Sequence, residues 1–178
     1  MRVLALDIST ACGFAFDGAD PQAKPRTGVW RVPASAAGDY GTMGLALQRW
    51  LRGLVGMSGA DLLAYEAPLV RAGSSFAGAP TNAETVRIQL GFTMAAQIVA
   101  AERNLRVAAA AVQTIRKHFC GSGHAKKPEV MARCRMLGWD FADNNAADAA
   151  ACWSWAKSQF DKAYRPHQVT ELFAKVPA

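Results

Sequence analysis

Val3-Leu4-Ala5-Leu6-Asp7-Ile8-Ser9 is the stretch on which the fold turns. A short apolar run without polar alternation reads as a strand covered on both faces. Ser9, Thr10 and Gly13 follow as small or turn-prone residues, so Asp7 stands at the exit of the strand, where water and a ligand arrive.

Outward from this strand, residues 13–16 read as a second strand that can pair antiparallel with the first, and 27–32 as a third with Val29, Trp30 and Val32 supplying β propensity. Leu47, Trp50, Leu51, Leu54 and Val55 make the single apolar stripe of a helix over about 40–56. Residues 61–66 form a fourth apolar strand that again ends in an acid, Glu66, and the Gly-, Ser- and Ala-rich stretch 71–80 reads as a mobile loop. Thr81 or Asn82 caps a long helix to about residue 104, and 105–111 is a fifth strand. Helices over about 113–119, 128–137 and 144–160 complete the pattern. Antiparallel strands followed by βαβ crossovers predict an α/β fold, a mixed five-stranded sheet with helices on both faces. One domain is expected over 1–163, with 164–178 as a peripheral C-terminal tail.

The composition agrees with one globular domain: 178 residues, 51% hydrophobic and 19% charged. Collagen, coiled-coil and wholly disordered chains are excluded. Apolar runs are broken well before the length of a membrane span, and no signal-peptide plan opens the chain, so a soluble cytoplasmic protein is expected. Cys12, Cys120, Cys134 and Cys152 form no CxxC pair, which argues against structural zinc.

The net charge of +6 is unevenly spread. Residues 103–135 hold eight Lys and Arg against the single acid Glu129, a local balance of +7 that leaves the remainder at −1. A solvated basic face is the plain alternative. Gly121, Ser122 and Gly123, flanked by His118 and His124, favour phosphate binding, because flexible backbone N–H groups can approach an anion.

Taken singly, Asp7 or Glu66 is an ordinary strand terminator. If the first and fourth strands are neighbours the two carboxylates share one sheet edge, and like charges so placed call for a cation. Asp148 sits near the start of the last helix on a face otherwise apolar, a costly position for an unpaired acid. Asp143 reads first as an N-cap. Three carboxylates without Cys or His make a hard oxygen donor set that suits Mg²⁺ or Mn²⁺, and such sets hold two ions that promote phosphodiester hydrolysis.

Four motifs in order resemble the RuvC family of Holliday-junction resolvases, within the ribonuclease-H-like superfamily, in a form closer to phage and prophage variants. They are Val3-Leu4-Ala5-Leu6-Asp7-Ile8-Ser9, Ala64-Tyr65-Glu66, Gly121-Ser122-Gly123-His124-Ala125-Lys126-Lys127 and Asn145-Ala146-Ala147-Asp148-Ala149. The resemblance implies a homodimer in the cytoplasm of a bacterial or phage-infected cell, associated with the nucleoid. It would bind branched DNA and cut four-way junctions by paired nicks, with two Mg²⁺ ions per site, no nucleotide cofactor and no membrane. It makes Asp7, Glu66 and Asp148 metal ligands, Lys127 a catalytic lysine that contacts phosphate, and Arg116, Lys117, His124 and Lys126 DNA contacts. Two positions depart from the pattern. Asn145 stands where a second acid is common, so it or Asp143 would have to serve as a further ligand. Leu69 stands where an aromatic follows the Glu, leaving Phe76 as the candidate for stacking at the junction.

Competing readings are a ribonuclease-H-like nuclease for other branched DNA or RNA hybrids, and a catalytically inactive junction-binding module. An ATP-binding protein of the actin and sugar-kinase type also begins with a strand ending in an acid, but needs two domains and a longer chain.

Overall fold

The computed structural model describes residues 1–18, 20, 24–68 and 83–165. Its elements are β1 (Val3–Asp7), β2 (Ala11–Asp17), β3 (Pro25–Arg31), α1 (Tyr40–Ser58), β4 (Leu62–Glu66), α2 (Ala83–Glu102), β5 (Arg106–Ala110), α3 (Val112–Cys120), α4 (Lys127–Met136) and α5 (Asn144–Phe160). The sheet order is β3-β2-β1-β4-β5. β1 is antiparallel to β2 and parallel to β4, which is parallel to β5, so the mixed sheet has the expected form. The loop 71–80, the capping positions Thr81 and Asn82, Leu69 and Phe76 lie outside the described residues.

Alternation along the strands sends side chains to two cores. Val3, Ala5, Leu62 and Ala64 pack with α3, α4 and α5, whereas Leu4, Leu6, Leu63 and Tyr65 pack with α1 and α2. By the same period of two, Asp7 and Glu66 emerge on the α5 side. Asp39 caps α1 by accepting from the Thr42 amide, and Gly59 ends it in the left-handed conformation at φ 58°.

The last helix differs from the amphipathic element expected. α5 is buried almost all round, from Ala146 to Lys157 apart from Asp148, because the sheet covers one side and α3 and α4 the other. Its run of alanines lets it lie close to the strands. Tyr164, at the head of the tail expected to be peripheral, is only 3% exposed and meets Trp153 edge-on.

Gly13 of β2, paired with Asp7, lies directly beneath the first turn of α5. A Cβ there would sit 2.0 Å from the Asn145 carbonyl oxygen, with backbone that cannot swing aside. Gly13→Ala is therefore expected to lift the α5 N-terminus and to cost about 1–3 kcal/mol, as overpacking does. Thermal melting should show a loss of about 3–10 °C.

Candidate active site

In the parallel β1–β4 pair Leu6 is level with Tyr65, so the next residues, Asp7 and Glu66, stand side by side at the carboxyl ends of adjacent strands. This is the edge at which ligands bind open α/β sheets. Together with Ile8, Ala67, Pro68 and two α2 residues, Gln89 and Thr93, they line a cavity of about 140 Å³. α5 delivers Asp148 to the same end from one side, and α4 delivers Lys127.

The electrostatics show the convergence. Burial, then the charges of Asp148 and Glu66, push the Asp7 carboxyl up to about 7. Burial and Asp148 raise Glu66 as well, opposed by Arg116 and Lys127. Asp148, with a side chain 11% exposed, is raised by burial, against the pull of Lys127 and Arg116. Lys127 Nζ is 3.8 Å from Asp148 Oδ2. The Asn144 amide oxygen, oriented by its hydrogen-bonding surroundings, accepts from the same ammonium at 2.8 Å.

Among the described residues, no three His, Cys, Asp or Glu side chains form a ready-made metal cage. The three acids nevertheless feel one another, and desolvated carboxylates that repel one another are a donor set of the right kind for a hard divalent cation. Lys127 neutralises part of that charge.

The positions that flank the acids divide into several roles. Asp143 is the α5 N-cap: its Oδ1 accepts from the Asn145 and Ala146 amides, and its Oδ2 pairs with Arg31 at 3.1 Å. Both oxygens thus make hydrogen bonds or ion pairs within the protein, and the Asp143 charge still reaches the site, where it adds to the upward push on the Asp7 carboxyl. Asn145 uses its backbone carbonyl to cover Gly13. Lys117 and His124 line an open cup with Gln113, Thr114, Gly121, Ser122 and Gly123, while Lys126 is exposed just before α4.

The basic run does not gather as a unit. Arg106 opens β5 level with Leu62, four residues before Ala110 and so at the opposite sheet end from Glu66. Its guanidinium stacks over Phe160 at the far end of α5. Of the run, Arg116 on α3 and Lys127 at the start of α4 act on Glu66 and Asp148, whereas Arg133 and Arg135 lie in the last turn of α4. Sequence reasoning missed Asn144, Gln89 and Thr93. Asn144 was hidden among helix-capping polar residues, and the other two needed the α2 packing geometry.

The raised Asp7 has a consequence for stability without metal. An acid whose folded pKa exceeds its unfolded value of 3.8 stabilises below that value, and the benefit is lost as pH rises through about 7. Asn carries no such burden. In EDTA at pH 8, Asp7→Asn should be more stable by about 1–3 kcal/mol, and the gain should vanish below pH 4. Melting curves across this range check the sign.

No family model matches the chain, and no curated protein does. Solved structures do. Thermus thermophilus RuvC aligns with a TM-score of 0.65 at 18% identity, covering 89% of this chain and 96% of that one. T. thermophilus RuvC in complex with a Holliday junction substrate gives 0.67 at 19%, over 85% and 90%. The yeast mitochondrial Holliday junction resolvase Ydc2 gives 0.59 at 13%, over 86% and 76%. The likeness establishes the ribonuclease-H-like fold.

Proposed function

We propose that the protein is a structure-selective DNA endonuclease of RuvC type that resolves four-way junctions by paired nicks. The observation that carries this reading is the meeting of Asp7, Glu66 and Asp148 with Lys127 at one sheet edge. The fold that brings them there is shared with a RuvC solved on a junction substrate.

Asp7, Glu66 and Asp148 would hold Mg²⁺, or Mn²⁺ in its place, two ions per site. Such ions activate the attacking water and neutralise charge on the leaving oxygen. Lys127, its ammonium fixed between Asn144 and Asp148, holds positive charge where a phosphate would sit. Lys117, His124 and Lys126 extend donors from there along the path of the strand. The α2 face presents Leu90, Met94 and Ile98, with Met94 65% exposed, an apolar stripe suited to a second copy in a homodimer. Placement in the cytoplasm with the nucleoid of a bacterial or phage-infected cell follows from the substrate proposed.

The test offers labelled four-way junctions, flaps, duplex and RNA–DNA hybrids with Mg²⁺, Mn²⁺ or EDTA. Symmetric paired nicks in junctions alone, and only with metal, are expected. Equal cutting of flaps or hybrids would select a nuclease of broader substrate, and binding without cutting an inactive module. Junction affinity should fall with salt, each phosphate-bound Lys adding about 0.9 to the slope of log K against log salt. A flat response would leave the basic face merely solvated.

A further inference from the structure

Arg116 invites the assignment of a phosphate contact, since it lies in the basic run five residues before the glycine loop that starts at Gly121. Its surroundings say otherwise. The side chain is half-buried, and Nη1 donates to the Ala125 carbonyl at 2.8 Å, a residue only 2% exposed. Its Nε is buried with no hydrogen-bond partner among the described residues. The guanidinium is thus committed inward, with its charge felt by Glu66 and Asp148. Lys117, the next residue, is exposed on the open cup.

What Arg116 grips is the entry to α4. α3 ends at Gly121 in the left-handed conformation, φ 80°, and the chain turns back through residues 121–126 with the Ala125 amide donating to Ser122 O at 3.2 Å. Lys126 then occupies the N-cap of α4, where an ammonium side chain cannot accept from the exposed helix amides as Ser or Asp would. Glu129 reaches back to accept from the Lys126 amide. Within the turn the His124 amide also donates to Ser122 Oγ, and a restraint from outside it comes through Arg116 on Ala125. Lys127 is two residues further on, with its Nζ against Asn144 and Asp148.

We propose that Arg116 is a positioning residue: it braces the α3–α4 turn and thereby seats Lys127 against Asp148, and it does not bind a DNA phosphate. This rests on the nuclease reading of the site only so far as Lys127 acts in cleavage.

A double-mutant cycle of Arg116→Ala and Lys127→Ala in the full chain tests it. Arg116→Ala should lower kcat on four-way junctions about 100-fold, the scale of a small misplacement of a reacting group, with KM unchanged. In the Lys127→Ala background it should lower kcat no further. Losses that multiply, or a salt slope for junction binding reduced by about one, would overturn the proposal. If the wild-type chain cuts no junction, the nuclease reading falls, and amide hydrogen exchange decides the brace alone. Exchange at Ala125 and Lys126 should quicken at least about tenfold in Arg116→Ala while β1 and β4 stay protected. Unchanged exchange at those two amides would overturn the proposal.

Discussion

Asp7→Asn is expected to lower the single-turnover rate of junction cleavage by about 10³-fold or more, the scale of losing a group essential at a reacting centre. The amide keeps the shape of the side chain and removes its negative charge, so the site loses a hard anionic donor while its packing survives. Junction affinity should change little, because the basic groups on α3, the glycine loop and α4 are untouched. The same substitution relieves the repulsion and desolvation that push the Asp7 carboxyl up to about 7. An inactive variant that melts higher than the wild type in EDTA at pH 8 separates lost chemistry from lost structure. Metal-dependent cutting retained by Asp7→Asn would remove this carboxylate from the centre.

The strand-ending acids were legible because two features coincide in sequence: an apolar run long enough for a buried strand, and an acid at its last position. Parallel pairing of β1 and β4 then aligns Asp7 and Glu66 without further assumption. Charge distribution was less legible. A basic run spanning a strand is carried across the sheet by that strand, so Arg106 finishes at the opposite end from Lys127. Asp143 and Asn145 show a second limit, since a polar side chain at a helix start can serve the backbone or a ligand. Asp143 does the first through the two amides that donate to its Oδ1, while its charge also bears on Asp7. Lys157 was not legible at all. A lysine near the end of a helix reads as solvated, and full burial is rare for its type.

Asp17→Ala is expected to produce the largest loss of stability. Lys157 is 0% exposed, and Nζ donates to Asp17 Oδ2 at 3.3 Å, Asp161 Oδ2 at 2.6 Å and Met1 O at 3.0 Å. Asp17 Oδ1 also accepts from Trp153 Nε1 at 2.7 Å. Removing this carboxylate leaves a buried ammonium short of a counter-charge and an indole N–H without its acceptor. Breaking a buried pair in this way costs about 3–5 kcal/mol, so melting should fall by roughly 6–20 °C. Asp17→Asn keeps an acceptor for the indole but not the charge, and should fall between. Combining it with Lys157→Met should recover part of the loss of Lys157→Met alone, because the remaining partner no longer carries a buried charge. Strict additivity of the two would refute the pairing. The cluster also bears on the site. It ties the carboxyl end of α5 to the start of β1 and the end of β2, while Gly13 admits the amino end against Asp7. Asp148 is carried on the helix held between these two anchors. Below its lowered melting point Asp17→Ala should therefore cut more slowly than Asp17→Asn, with the order of the two rates following the order of their stabilities.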